Sequence, residues 1–137
     1  MAANYTELSV QPEIYSDFFV DLDFHPIRAD LVRKTNEDAV SQSIRNILKT
    51  NYYERPFDPK FGANLRALLF ENFSPFIEIQ LKTQITSAIE NYEPRADLIS
   101  VDVSSDVDNH LYTVTIVFAT KNQPNPQTLV VQLDRVR

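Results

Sequence analysis

The feature that most constrains this fold is a change in hydrophobic period near residue 95. Before it, apolar side chains recur every three to four residues from Ile77 to Tyr92, which is typical of one face of a helix. After it, apolar and polar residues alternate in three stretches, as in half-buried strands. The stretches are Leu98–Ser104, Leu111–Thr120 and Gln127–Asp134. Helices followed by an antiparallel meander predict an α+β fold, with about three helices on one face of a small, mostly antiparallel sheet.

The helix boundaries have local signals. Ser74 is a suitable N-cap and Pro75 occupies the first helical position, where a missing N–H costs nothing. Pro94 ends this helix, because the residue before a proline disfavours helical geometry. An earlier apolar stripe predicts a helix over 36–49, with Thr35 and Asp38 in a capping arrangement. A short helix is predicted over 64–70.

The first 35 residues are predicted to form an extended arm, and residues 36–137 a single domain. From Phe18 to Phe24 the apolar side chains partly alternate, and His25-Pro26 interrupts the pattern. Two interpretations are open: an arm lying on its own domain, or a segment that docks on a neighbouring protein.

Composition excludes several classes of function. The chain has 137 residues with one glycine, eight prolines and no cysteine. A single glycine excludes the phosphate-binding loop and the dinucleotide fingerprint, and the absence of cysteine excludes disulfides and thiolate metal sites. The formal net charge of −6 argues against nucleic acid and anionic membrane as partners. No cofactor is predicted.

Catalysis has little support in the sequence. The two histidines, His25 and His110, lack a second ligand at metal spacing, and no Gly-x-Ser-x-Gly motif is present. A pair of carboxylates is not excluded by the count, with Glu71, Glu78 and Glu90 as candidates on or near helices. We predict no catalytic or metal-binding residue, and keep a carboxylate-dependent peptidoglycan hydrolase as the alternative.

Two short segments are rich in residues with special geometry. In the first, the loop motif of Arg55, Pro56, Phe57, Asp58 and Gly62 is interpreted as a tight connection. Its prolines fix the backbone, the glycine takes a left-handed or close-approach position, and Phe57 is predicted to anchor the loop on the core together with Phe61. A clamp on a carboxylate by Arg55 is the functional alternative.

The second segment is Tyr92-Glu93-Pro94-Arg95. One interpretation is a helix end at which Arg95 pairs with Glu93 near the negative helix terminus. The other is that Pro94 fixes these two side chains for presentation to another chain.

Five stretches together carry a resemblance to a known family: Tyr15–Asp17, Ser43–Leu48, Glu54–Gly62, Leu69–Asn72 and Asn91–Arg95. In order and spacing they resemble the GPW-like baseplate wedge proteins of contractile-tailed phages, which also occur in type VI secretion baseplates. One departure is Tyr53, since the family often has glycine at this place.

The resemblance implies a structural wedge subunit of the virion, assembled in the host cytoplasm, that links the wedge core to the first sheath ring and nucleates sheath polymerisation. It implies a fold like the conserved sheath-protein domain, with Glu93, Pro94 and Arg95 facing other wedge proteins. It further implies a sheet that accepts strands of the tail sheath protein. The alternating C-terminal stretch with Leu129, Val131 and Leu133 is the predicted contact; an ordinary last strand is the alternative. Family members have also been labelled lysozyme-like, which this sequence does not independently support.

Overall fold

The computed structural model of the chain describes residues 13–27, 29–121 and 123–135. The elements within these ranges are β1 (Ser16–Phe18), β2 (Phe24–His25), β3 (Asp30–Leu31), β4 (Arg33–Thr35), α1 (Asn36–Lys49), α2 (Arg66–Leu69), α3 (Pro75–Tyr92), β5 (Ala96–Asp106), β6 (Leu111–Thr120) and β7 (Gln123–Asp134). Strands β5, β6 and β7 form an antiparallel sheet in that order, and β1–β4 and β2–β3 form two small ribbons. Helix α3 packs on the sheet, which confirms the predicted α+β class.

Helix α3 forms as its sequence predicts. The Ser74 hydroxyl accepts a hydrogen bond from the Phe76 N–H at 3.3 Å, and Pro75 lies in the first turn. The buried side chains of α3 are Ile77, Leu81, Ile85, Ala88 and Ile89. Each fully buried isoleucine or leucine contributes about 1.5–3 kcal/mol, so this stripe supplies a large share of the core.

Helix α1 has the predicted bounds, but the predicted cap is wrong. Thr35 makes no side-chain capping hydrogen bond, because it also ends β4 and is paired with Ser16. Instead, the Asn36 carboxamide oxygen accepts from the Ile14 N–H at 2.9 Å, which ties the helix to the arm. Helix α2 is shorter than the predicted 64–70. In the described ranges, no helix is long and apolar enough to cross a membrane.

Strand β5 contains a bulge that the alternation did not reveal. Its ladder with β6 pairs Leu98 with Phe118 and Ser100 with Val117, which leaves Ile99 as an extra residue. Ile99 is therefore exposed and Leu98 packs against the core in its place. Regular alternation over Leu98–Ser104 predicts Ile99 on the same face as Val101, and the bulge is the reason that this prediction is wrong.

The other two strands each bury one face, as their alternation predicts. On β6 the buried residues are Tyr112, Val114, Ile116 and Phe118, and on β7 they are Leu129, Val131 and Leu133. Strand β7 begins at Gln123 and not at the predicted Gln127. Prolines Pro124 and Pro126 therefore lie inside the strand, which is tolerated at a sheet edge, where no N–H is needed on the open side.

The arm packs beside α1. The Gln42 side-chain amide donates to the Phe18 carbonyl at 2.6 Å, and the Arg33–Thr35 strand pairs with β1. The four apolar residues that alternate along the arm, Phe18, Val20, Leu22 and Phe24, are all exposed. Residues 1–12 of the predicted arm lie outside the described residues, and the division at residue 35 stays a prediction.

Candidate partner-binding surfaces

Glu93 and Arg95 form an ion pair within the chain. Arg95 Nε lies 2.7 Å from Glu93 Oε1 and Arg95 Nη2 lies 2.8 Å from Glu93 Oε2, which is the two-pronged geometry that guanidinium groups favour with carboxylates. The Glu93 N–H also donates to the Ile89 carbonyl at 2.9 Å and closes the last turn of α3. The side chain of Glu93 is 1% exposed and that of Arg95 27%.

Residues from two other elements hold this pair. Asp17 of β1 accepts from both terminal nitrogens of Arg95 at 3.4 Å, and the guanidinium carbon lies 5.6 Å from the centre of the Tyr15 ring. Ser43, on α1, lies close enough to the Glu93 carboxylate to help lower its pKa. The pair therefore joins the arm, α1 and the start of β5.

Both members of the pair are charged at neutral pH. Burial favours a raised pKa for Glu93, but hydrogen bonds from Arg95 and Ser43 and the charge of Arg95 outweigh burial and hold this pKa below its usual value. The hydrogen bond to Glu93, together with its charge and that of Asp17, outweighs burial and raises the pKa of Arg95. The pair is therefore a fixed ionic contact.

The predicted wedge contact is only partly accessible. Pro94 is exposed and Arg95 half-buried, whereas Glu93 is enclosed by its own chain. Only Pro94 and the outer side of Arg95 present atoms to a neighbouring protein.

The loop motif is ordered by its own main chain and by aromatic contacts. Tyr53 N–H donates to the Pro59 carbonyl at 2.8 Å. The Arg55 guanidinium carbon lies 4.4 Å from the centre of the Phe61 ring, and that ring lies 5.0 Å from the Tyr92 ring. These contacts attach the loop to the end of α3.

Gly62 has the predicted role. Its φ of 110° is in the region that favours glycine, and a Cβ there would lie 2.3 Å from the Thr50 carbonyl oxygen. No other residue fits without moving the backbone.

The prediction that Phe57 anchors the loop is wrong, although Phe61 is half-buried against the core as expected. Phe57 is fully exposed and has φ 70°. It is the third residue of a turn closed by a hydrogen bond from the Asp58 N–H to the Arg55 carbonyl at 3.4 Å, with Pro56 before it. This is the pattern of a type II turn, whose third position favours glycine. A left-handed conformation costs a bulky residue about 1–2 kcal/mol.

The β5 edge of the sheet is obstructed. Glu78 of α3 accepts a hydrogen bond from the Ser105 N–H at 3.1 Å, so a main-chain donor at this edge is already used. Lys82, also on α3, reaches Asp102 at 3.4 Å, and the bulge at Ile99 interrupts the ladder. Bulges and capped main-chain groups are the usual means of preventing strand addition.

The β7 edge differs, because its described residues pair with β6 alone. Ser105 is opposite Tyr112, and its main-chain N–H points away from β6, so the main-chain groups of Tyr112 point to Leu133. Because this direction alternates from one residue to the next, it is then known for the rest of β7. Leu129, Val131 and Leu133, the predicted sheath contact, turn their side chains to the core and their main-chain groups to β6. The main-chain groups that face outward belong to Thr128, Val130, Gln132 and Asp134.

Two pairs of neighbouring carboxylates lack the character that glycoside hydrolysis needs. Glu93 and Asp17 share Arg95, and the lowered pKa of Glu93 is the reverse of what a general acid requires. Glu78 and Asp102 line a cavity of about 140 Å³, but Asp102 is exposed and faces Lys82. Of the other candidates, Glu71 and Glu90 are exposed. Within the described ranges, no group of three or more His, Cys, Asp or Glu residues is placed to hold a metal ion.

Comparison with known proteins decides the family. Residues 34–125 match the family described as "Baseplate wedge protein gp25". This chain belongs to the gp25 baseplate wedge family. It is 35% identical over 96 residues to baseplate wedge protein gp25 of Enterobacteria phage T4, covering 70% of this chain and 73% of that protein. It is 29% identical over 104 residues to baseplate protein W of Escherichia phage P2, covering 76% and 90% respectively. The resemblance predicted from the sequence is thereby confirmed, and the chain is a structural protein of the phage tail baseplate.

Solved structures share the fold of this gp25-family chain. A Geobacter sulfurreducens protein provisionally described as a tail lysozyme has a TM-score of 0.72 at 23% identity, covering 77% of this chain and 96% of that one. A chain of the anti-feeding prophage baseplate has a TM-score of 0.62 at 19% identity, covering 90% and 87%. A chain of the post-contracted pyocin R2 baseplate has a TM-score of 0.53 at 20% identity, covering 78% and 93%.

Sequence reasoning missed the residues that surround Arg95. Asp17 lies 78 positions before it, so no local pattern connects the two. A signal did exist, because Tyr15–Asp17, Ser43–Leu48 and Asn91–Arg95 were three of the stretches that carried the family resemblance. The structure brings one or more residues from each of them together around the Glu93–Arg95 ion pair.

Proposed function

We propose that this chain nucleates polymerisation of the tail sheath, with the open edge of β7 accepting a strand of the sheath protein. The observation that supports this most is the difference between the two edges of the sheet. Glu78 and the bulge at Ile99 obstruct the β5 edge, while the outward main-chain groups of β7 are unpaired among the described residues. Strand addition at such an edge gives affinity through main-chain hydrogen bonds, which distribute a mechanical load over many contacts.

The test removes one outward N–H and leaves the fold intact. In Gln132→Pro the missing donor is on the open side of β7, so the ladder with β6 keeps its bonds. We expect tails with complete baseplates and little or no sheath when this variant replaces the natural chain in the phage. The control is Gln132→Ala, which keeps the N–H and should support sheaths of normal length. Normal sheaths on Gln132→Pro tails, seen by electron microscopy, would refute the proposed edge.

The opposite contact, to the wedge core, is proposed at Pro94 and the outer side of Arg95. Pro94→Glu places a charge at an exposed position and leaves the ion pair with Glu93 intact. We expect the purified chain to remain as stable as the natural one and wedge assembly to fail, with Pro94→Ala as the matched control. Normal wedge assembly by Pro94→Glu would remove this segment from the interface.

We also propose that the chain acts by contact alone. The support is that Glu93, a buried carboxylate near Asp17, is held ionised by Arg95. A direct measurement is the rate of peptidoglycan solubilisation by the purified chain. Activity that disappears in Glu78→Gln would reinstate the hydrolase.

A further inference from the structure

We infer that Phe57 is a preformed anchor, whose ring enters an apolar pocket on another protein of the assembled baseplate. The inference rests on the membership of the gp25 family and on the loop geometry, and it is independent of the sheath contact at β7.

Phe57 is fully exposed. Its relative exposure is 105%, so it buries no surface in the chain. A single exposed apolar residue needs no explanation by itself. Here, however, Tyr53 in the same loop is also 84% exposed, so two aromatic side chains extend from one short segment.

The backbone of Phe57 has a conformation that bulky residues rarely adopt. Phe57 and Tyr53 have φ values of 70° and 67°, and each is the third residue of a turn, a place where glycine is favoured. The second turn is closed by a hydrogen bond from the Glu54 N–H to the Asn51 carbonyl at 3.3 Å. Bulky residues in this conformation are outliers, and such strain is concentrated at functional sites. In the isolated chain this backbone strain is not offset at Phe57, since the exposed ring of Phe57 makes no packing contact with the described residues.

The loop that carries Phe57 is held rigid by its prolines and hydrogen bonds. Pro56 and Pro59 flank Phe57 and fix two φ angles, and the Asn51 side-chain amide bonds to Glu54 at 2.9 Å. The Tyr92 hydroxyl donates to the Lys60 carbonyl at 2.6 Å and attaches the end of the loop to α3. A ring held in one position loses little entropy on binding, which is the property of an interface anchor.

These features define the partner. One aromatic ring on a narrow turn fits a pocket of similar size in a folded protein, and buried aromatic anchors of this kind dominate interface energies. The exposed carboxylate of Asp58 is adjacent to Phe57, so the rim of the pocket should carry a hydrogen-bond donor or a basic residue. A nucleic acid does not fit, because the chain has a net charge of −6.

The decisive variant is Phe57→Asn, because asparagine tolerates a left-handed backbone and lacks the ring. We expect its urea unfolding midpoint to equal or exceed that of the natural chain, and its yield of assembled baseplates in the phage to fall at least tenfold. Phe57→Tyr should restore most of the yield. A normal yield with Phe57→Asn overturns the inference, and so does a lowered unfolding midpoint, which would make the ring structural.

A photo-crosslinking experiment tests the contact itself. The probe is p-benzoylphenylalanine in place of Phe57, irradiated in assembled tails, with the same probe at Val107, an exposed residue in the β5–β6 turn, as the control. We expect a covalent product between position 57 and a second baseplate protein, and none from position 107. No product from position 57 refutes the anchor. Because the product is scored whatever the length of the sheath, that result leaves the β7 proposal standing, and a failed Gln132→Pro test leaves the anchor standing.

Discussion

Replacing Arg95 with alanine is expected to destabilise the isolated chain by about 3 kcal/mol. The Glu93 carboxylate is 1% exposed and loses both 2.7–2.8 Å bonds in this variant. Removal of one member of a buried pair typically costs about 3–5 kcal/mol, because the other charge stays buried without its counter-ion. The lower end applies here, since Arg95 is 27% exposed and water can enter the space it leaves.

The assay is urea unfolding followed by circular dichroism. With a slope of about 2 kcal/mol per molar urea, a loss of about 3 kcal/mol lowers the midpoint by roughly 1.5 M. Asp17→Ala is the matched control: its 3.4 Å contact to Arg95 is partly exposed and should contribute less than about 1 kcal/mol.

A double variant separates the buried charge from general damage. Glu93→Gln combined with Arg95→Ala removes the uncompensated carboxylate and should recover more than about 1 kcal/mol relative to Arg95→Ala alone. If Arg95→Ala and Asp17→Ala cost the same, or if the double variant recovers nothing, the carboxylate is hydrated and our reasoning is refuted. The large expected cost also explains why Pro94→Glu, and not Arg95→Ala, is the suitable probe of the wedge contact.

Two further predictions concern acid stability and the loop. Because the folded pKa of Glu93 lies below its unfolded value of about 4.3, its stabilising contribution is complete above that pH and is lost as the pH falls through the folded pKa. The natural chain should therefore exceed Glu93→Gln in stability at neutral pH, with a difference that shrinks in acid; a pH-independent difference in urea titrations would contradict this. Gly62→Ala should cost on the order of 3 kcal/mol, since its Cβ meets the Thr50 carbonyl. The control Asn64→Gly, at a left-handed position nearby, should cost nothing, and equal thermal unfolding midpoints for the two variants would disprove the close approach.

Helices and strand faces were predictable where local chemistry decides them. Ser74 and Pro75 fix the start of α3, and the alternation along β6 gives its buried face directly. The bulge at Ile99 was not predictable, because an extra residue in one strand is determined by the partner strand. The two prolines near the start of β7 indicated a connection, although an edge strand accepts them as well.

The candidate site was likewise predictable only where neighbouring residues decide it. The pairing of Glu93 with Arg95 was predictable, because only Pro94 separates them. The burial of Glu93 was not, since it depends on α1, which is distant in the sequence. Phe57 was assigned to the core because apolar residues usually pack, and only the conformation of its turn directs the ring outward.

The obstructed β5 edge limits how copies of the chain associate through this sheet. A sheet with one open edge can add only one further strand. Two copies joined β7 to β7 about a two-fold axis would use both open edges, and association would end at the dimer. A sheet with two open edges would instead add copies without limit, which is the route to fibres. The hydrogen bond from Ser105 to Glu78 therefore does more than stabilise a strand end, because the main-chain donor that it occupies is not available to a strand of a second copy.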